Sequence, residues 1–501
     1  MTRAAVIGSG PNGLSAAIAL AQAGVAVTVY EGQEKVGGAA ASGELTLPGF
    51  RHDLGSSVYP LGVSSPFFRS LPLEEFGLLW IEPPAPLAHP LDSNSDRAQA
   101  VLLEHDLRAT AEGLGVDGRA YRELIEPLVE GWTQLLPEIL GPVLRWPRRP
   151  LALARFGLQA MRPAIGLAGR FRGERARALL AGNAAHSVLP LTRAFSSAPG
   201  LVLMAAAHAS GWPVAAGGAQ SISDALAAYL RGLGGRIETG RWVRSLNELE
   251  EEIVFCDVSP QALVRIAGDA LAPAYRRVLE LFLHGPGAFK VDWALSQPIP
   301  WHSAECLRAA TVHLGGTMAE IADAEAAPWQ GRTAERPFVL LTQPSLFDPT
   351  RAPEGRHTAW GYCHVPNGYS GAELGLAEND PVVRAIEEQV ERFAPGFRDC
   401  ILARHVAGPA ELEAWNPNLV GGDLSGGAMT LDQLLLRPTI SPYRVRLADS
   451  YRWSPKRRIY LCSASTPPGG GVHGMCGWHA AQVALSDLGL RQNEAWLSHL
   501  D

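Results

Sequence analysis

Cysteine is scarce in this chain. Cys256, Cys306, Cys363, Cys400, Cys462 and Cys476 are the only six in 501 residues, and no two form a C-x-x-C pair. That spacing excludes a secreted disulfide framework and gives no reason to expect a structural zinc or any other metal; a reducing, cytoplasmic setting is expected. A dominant charge is also missing. With 43 basic against 50 acidic side chains, the net charge is -7, so no global field draws in a phosphate backbone and no nucleic-acid partner is expected. Nor is there a long unbroken apolar run. Arg3 is followed by no charged residue until Glu31, but Gly8, Gly10, Pro11, Asn12 and Gly13 interrupt the stretch. A signal peptide or membrane helix would be continuous there, so neither is expected. What is present is 47% hydrophobic residues, material for roughly two to four domains at about 150 residues each, which can be interleaved along the chain.

The first thirty residues carry the clearest signal. Ala4 to Ile7 is a short apolar run that reads as a buried strand, and Gly8-Ser9-Gly10-Pro11-Asn12-Gly13 follows it. Leu14, Ala17, Ile18 and Ala21 then recur at helical spacing up to Gly24, and Val25, Val27 and Val29 alternate in a second strand ending at Glu31. Each part has a physical task in dinucleotide binding. Gly8 permits the tight turn, Gly10 lets a pyrophosphate touch backbone, and Gly13 lets helix and strand pack closely. The helix N-terminus offers oriented N–H groups to the phosphates. Glu31 can accept from both ribose hydroxyls and would repel a 2′-phosphate. A bare G-x-G-x-x-G is weak evidence; strand, glycines, helix, strand and acid in this order are strong. Gly37-Gly38, opening onto Ala39, add a second close-approach loop that suits the longer FAD molecule, although such a pair is also a common plain turn.

Near the other end, Arg458 to Ser463 reads as a strand. Pro467-Pro468-Gly469-Gly470-Gly471-Val472-His473-Gly474 follows, and Trp478, Ala481, Val483, Ala484 and Leu488 read as an amphipathic helix. Too little sequence follows Gly474 for a second βαβ unit. The loop and helix N-terminus are therefore expected to return to the first unit and face the flavin's pyrimidine edge; a glycine-rich surface loop is the other reading.

Together these motifs, with Gly217-Gly218 and Gly234-Gly235 in the segment Pro213 to Val243, resemble the FAD-dependent phytoene-desaturase and amine-oxidase superfamily. Gln343-Pro344-Ser345, Asp348-Pro349-Thr350, Ala352-Pro353-Glu354-Gly355 and Gly426 to Leu434 look like its phytoene-dehydrogenase-related subgroup named pyridine nucleotide-disulfide oxidoreductase domain-containing protein 2. The resemblance spans nearly the whole chain and is thinnest between Leu91 and Ser210. It implies an α/β fold: a discontinuous Rossmann-like FAD-binding domain from 1–75, 212–262 and 455–501, and an α+β substrate domain from 76–211 and 263–454. It implies backbone contacts from Val243 to adenine, and places Ser465, Val472 and Gly474 beside the flavin and ribityl chain. Two departures stand out. Ala39 replaces an arginine common among relatives, and Ser465-Thr466 stand where amine oxidases usually have Gly-Glu.

The activity implied is FAD-dependent dehydrogenation of a hydrophobic, isoprenoid-like substrate, with oxygen or a quinone as electron acceptor. A flavin-dependent isomerase, an amine oxidase and a flavin-binding interaction protein without turnover are the competing readings. Flavin N5 takes a hydride without a protein nucleophile, so only a proton carrier need be sought. His473 and His479 are the weak catalytic candidates, each also readable as a histidine closing a turn or packing beside Trp478. Within Arg51 to Ser57, expected near the flavin by analogy, Asp53 reads as a turn or cap residue rather than a base. Between 142 and 182, nine arginines face the single acid Glu174, interleaved with Trp146, Leu151, Phe156, Leu158 and other apolar residues. Such a stretch can lie on an anionic membrane; a solvated helical face or a subunit interface is the plainer reading. Trp293, Trp301, Trp360 and Tyr362 could line a pocket, though such aromatics are more often core. The sequence leaves the oligomeric state open.

Overall fold

The computed structural model describes residues 2–92, 100–371, 380–448 and 457–490. The ends of the expected 455–501 stretch lie outside these residues. Sixteen strands occur among them, in chain order β1 Arg3–Ile7, β2 Ala26–Tyr30, β3 Ser42–Glu44, β4 Arg51–Asp53, β5 Trp80–Ile81, β6 Ala85–His89, β7 Val101–Leu103 and β8 Val214–Ala215. β9 Arg236–Glu238, β10 Ile253–Cys256, β11 Gly287–Leu295, β12 Ala309–Leu314, β13 Val339–Thr342, β14 His357–Val365, β15 Ile401–Ala407 and β16 Arg458–Leu461 complete the series.

The first large sheet is parallel and runs β16-β10-β1-β2-β9. Its central strands read as unbroken apolar runs because both faces are covered: Ala4 to Ile7 and all of Ile253 to Cys256 are buried. On one face the Pro11–Gln22 helix begins with proline in its first turn, where a missing N–H costs nothing. The Met475–Asp487 helix lies against it. Their backbones come so close that a Cβ on Gly477 would stand 1.8 Å from the Asn12 carbonyl oxygen. The sequence pattern predicts an amphipathic helix here, and the structure corrects it. Ten of its residues, Met475 through Gln482 with Ala484 and Leu485, are buried, because other elements enclose it on nearly every side.

The second large sheet runs β15-β11-β14-β13-β12-β6-β7, antiparallel except where β12 meets β6. Period-2 alternation gives it two unlike faces. Val291, Trp293, Val339, Leu341, Ala359 and Cys363 pack with Ile386, Val390 and Phe393 of the Pro381–Phe393 helix. The other face carries His313, Leu340, Tyr362 and Lys290 in one cross-strand rank. The four aromatics singled out in the sequence divide accordingly. Trp293 and Trp301 belong to the apolar core, whereas Trp360 and Tyr362 line a cavity between this sheet and the first.

The arginine-rich stretch forms three helices, Pro150–Ala160, Ala164–Ala168 and Glu174–Ala184. All six cysteines are buried free thiols. Among the described residues no helix is long and apolar enough to cross a membrane.

Candidate functional site

The glycine loop is built as its spacing requires. Gly8 has φ +99°, and its N–H donates to the Tyr30 carbonyl at 2.9 Å. A Cβ on Gly13 would stand 2.2 Å from the Gly8 carbonyl oxygen, so only glycine lets the helix sit this close to the strand end. Gly37 donates to Ser9 O at 3.2 Å, and a Cβ on Gly38 would lie 3.0 Å from the Gly10 Cα. The two glycine loops therefore touch, and Gly10, Pro11, Asn12, Gly38 and Ala39 line one cavity wall. Glu31 reaches back from the end of β2. Its Oε2 accepts from Ser9 N at 2.9 Å and from Ser9 Oγ at 2.5 Å, and its Oε1 accepts from Gln33 N at 2.9 Å. A carboxylate oxygen has more than one acceptor site, so Glu31 can still take ribose hydroxyls. Val243, next to Trp242 and near the Tyr30 ring over which Arg241 stacks at 4.3 Å, lines the same end.

Asp257 was not anticipated from the sequence. It follows β10, and its Oδ2 accepts from Gly13 N at 2.8 Å. One of the N–H groups expected to serve a phosphate is thus already bonded to a protein carboxylate. Burial pushes the Asp257 carboxyl up to about 7, against the Gly13 hydrogen bond and with the Glu31 charge adding to the rise. The only sequence signal was an acid directly after a predicted-looking apolar run, Ile253 to Cys256, far along the chain from the glycines.

The later loop closes the opposite wall. Ser465, Gly470, Gly471, Val472 and His473 line the cavity, and the Ser465 hydroxyl donates to the Gly426 carbonyl at 2.8 Å. Gly474 does not line it. At φ +70° it seats the helix start, where a Cβ would meet Ser15 Oγ at 2.2 Å and Phe68 Cε1 at 2.6 Å. His473 is 1% exposed; its Nδ1 accepts from Met475 N at 3.1 Å, while Nε2 is buried with no partner among the described residues. Burial pushes its imidazole down to about 4, so it is neutral at physiological pH. The pairing of His479 with His473 as a proton carrier is corrected by the geometry. His479 is not on the cavity wall: its Nε2 lies 2.8 Å from the Leu140 carbonyl, its ring packs against Trp478 and Tyr443, and burial pushes it down to about 3.

Asp53 is likewise no turn residue. Fully buried, it lies 3.0 Å from Arg351 Nη1 and accepts from Ser42 Oγ at 2.7 Å, from Ala219 N at 2.8 Å and from Ser57 Oγ. Arg351 also pairs with Asp348 at 2.9 Å. This buried junction ties the loop after β4 to the region around the second sheet. Ser57 Oγ in turn accepts from Trp360 Nε1 at 2.7 Å. Beside Trp360, Lys290 Nζ stands 2.5 Å from Asp292 and 4.7 Å from the indole ring. Burial alone would raise the Asp292 carboxyl, but Lys290 and the neighbouring histidines hold it below the usual range.

From Glu31 and Val243 the cavity continues past the glycine loops and the His473 loop to Phe195, Val202, Leu340 and Tyr362, enclosing about 1310 Å³. That exceeds an ordinary small-ligand pocket of roughly 300–1,000 Å³ and gives room for a dinucleotide and a second, apolar molecule. Two orphaned polar atoms, Asn12 Oδ1 and His473 Nε2, belong to residues of its wall. Glycine cradle, ribose-level acid and orphaned atoms fit a group of FAD's shape and polarity.

Residues 6–71 match the family described as an NAD(P)-binding Rossmann-like domain. The chain is 27% identical to pyridine nucleotide-disulfide oxidoreductase domain-containing protein 2 of Mus musculus, over 97% of this chain and 93% of that one. A shorter similarity, 30% identity over 27% of this chain and 25% of the relative, connects it to 4,4'-diapolycopen-4-al dehydrogenase of Metabacillus indicus. Among solved structures, a putrescine oxidase mutant superposes with TM-score 0.59 at 17% identity, covering 97% of this chain and 99% of that one. The likeness establishes the shared α/β fold with its Rossmann-like unit.

Proposed function

We propose that this chain, similar over nearly its full length to the pyridine nucleotide-disulfide oxidoreductase domain-containing 2 proteins, is an FAD-dependent dehydrogenase of the phytoene-desaturase type acting on a hydrophobic, isoprenoid-like substrate. The observation that carries this reading is the continuity of the cavity: one space joins the glycine cradle to a wall of Phe195, Val202, Leu340 and Tyr362. A polar or charged substrate would lose its hydration against such a wall.

When bound, FAD supplies the hydride acceptor, its N5. The chain supplies the rest. Gly8, Gly10, Gly38 and Ala39, on the cavity wall, would present backbone to the pyrophosphate, while Gly13 and Gly37 hold the loops close and Pro11 and Asn12 begin the helix beside it. Glu31 would accept from the ribose, Val243 would flank adenine, and Ser465 and Val472 would flank the ribityl and ring portions. His473, neutral and on the cavity wall, would be able to hydrogen-bond the ring's polar edge through Nε2. The apolar wall orients the substrate and excludes water, which favours transfer of hydrogen as hydride rather than leakage of protons. Oxygen or a quinone would serve as the electron acceptor. Ser465-Thr466 argue against an amine oxidase.

The arginine-rich segment fits delivery of a lipid-soluble substrate. Trp146, Leu151 and Leu158 are 91%, 80% and 73% exposed, while Leu153, Phe156 and Met161 of the same stretch line the cavity. A membrane-facing entrance accounts for both observations.

The test is anaerobic titration of purified protein. It should be yellow with bound FAD, and an apolar isoprenoid donor should bleach the flavin stoichiometrically. Turnover without bleaching would indicate an isomerase, and a flavin reduced by no apolar donor would refute the proposal.

A further inference from the structure

Resting on the reading of this cavity as the seat of a hydrophobic substrate, we propose that its far end is a subsite for a single hydroxyl group on an otherwise apolar molecule. His364, oriented by Glu325, is the residue that selects it.

Trp360, Tyr362 and His364 occupy alternate positions of β14 and share its cavity face. Trp360 and Tyr362 stack with centroids 5.8 Å apart, and Tyr362 meets His364 edge-on at 5.6 Å. Since Trp360 is bonded to Ser57 of the nucleotide-side loop, the stripe leads away from that loop and ends at His364. There the apolar lining gives way. His364 Nδ1 lies 2.9 and 2.8 Å from the two oxygens of Glu325, a buried residue of the Met318–Ala326 helix. A carboxylate on Nδ1 fixes the tautomer that carries its proton there and leaves Nε2 as an acceptor. Both His364 and His186 belong to the cavity wall.

His186 supplies the complementary group. Its Nε2 is 3.1 Å from His313 Nε2, and His313 Nδ1 is buried without a partner among the described residues. Burial keeps both rings neutral, holding His186 down at about 3. The contact is satisfied with the proton on either Nε2; when His313 Nε2–H donates, His186 carries its own proton on Nδ1 and is a donor there. The acceptor on His364 takes the proton of a hydroxyl, and in the tautomer with Nδ1–H on His186 the hydroxyl oxygen is bonded as well, since a hydroxyl both gives and takes a hydrogen bond. A carbonyl or ether could not donate to His364. A carboxylate would need a cation. The arginines and lysine on this wall are other residues: Arg145 is paired with Glu138 at 3.1 Å, Arg241 and Arg244 adjoin Val243 at the nucleotide end, and Lys35 and Arg265 complete the set. A hydrocarbon would offer His364 Nε2 no proton.

The test uses the FAD-loaded protein and three probes of one skeleton, phytol, its methyl ether and phytane, each competing with a fluorescent apolar reporter in detergent. Phytol is expected to bind roughly tenfold more tightly than either analogue, the factor one well-made buried hydrogen bond provides. His364→Leu should erase that preference while changing phytane binding less than threefold. His364→Gln, which keeps size and an acceptor, should retain part of it and guards against a folding defect. Glu325→Gln should weaken phytol selectively. Equal binding of all three probes by the native protein, or a preference untouched in His364→Leu, would overturn the proposal. Its failure is separable from that of the redox reading. Flavin bleaching by an apolar donor without alcohol preference sinks only the subsite; alcohol preference in a protein that binds no FAD sinks only the redox role.

Discussion

Asp257 shows what a single residue can add to a familiar loop. Its carboxyl, raised to about 7 in the fold against an ordinary value of 3.8, binds a proton more tightly folded than unfolded. The stabilisation from that proton is complete below about pH 4 and is lost as pH rises to about 7, by no more than a few kcal/mol. Asp257→Asn keeps an acceptor for Gly13 N and removes the titration. The variant is therefore expected to gain in melting temperature over the native protein between pH 4.5 and 7.5, at matched flavin content. A difference that stays constant across this range would contradict the account. Nothing near Gly13 in the sequence announced this partner, because parallel pairing of β10 with β1 delivers it from residue 257. Asp53 was misread for the same reason. Its neighbours in sequence look like a turn, while the arginine that defines it, Arg351, arrives from a distant 3₁₀ turn.

At the scale of elements, the nucleotide-binding βαβ unit was legible because every feature it needs is local: two strands, one helix and three glycines inside about thirty residues. The Met475–Asp487 helix was legible in extent but not in surroundings, since periodicity reports one covered face and cannot count how many neighbours a helix has. That enclosure can be tested at two glycines. Gly477→Ala places a methyl group 1.8 Å from backbone on the Pro11–Gln22 helix, and is expected to cost more than about 3 kcal/mol and reduce flavin retention. Gly157→Ala, inside the Pro150–Ala160 helix with no atom within 4 Å of the new carbon, should instead stabilise by about 0.5–1 kcal/mol. Chemical denaturation of both, with flavin absorbance, decides; equal effects would mean the two helices are not held as closely as described. Which parity of β11 and β14 faces the cavity is not recorded in their sequence, so Trp293 and Trp360 are distinguished only by the packing around the second sheet.

For the molecule as a whole, the return of the C-terminal loop to the first unit was expected from the residues after Gly474, whereas the bounds of the discontinuous domain came from resemblance, since no periodicity records which strand lies beside which. The arginine-rich segment is a second property of this scale. Its composition was plain, yet only the three-dimensional arrangement puts exposed Trp146, Leu151 and Leu158 outside and Phe156 inside. Replacing those three exposed residues together by glutamate should reduce sedimentation with anionic vesicles at least tenfold and leave FAD content unchanged; undiminished sedimentation would assign the patch to another role.

The strand order β16-β10-β1-β2-β9 also bears on biosynthesis. Until the ribosome has delivered Arg458–Leu461, the Ile253–Cys256 strand is a bare rim, open to pairing with other nascent chains. The late-arriving strand therefore acts as a seal on this rim of the sheet.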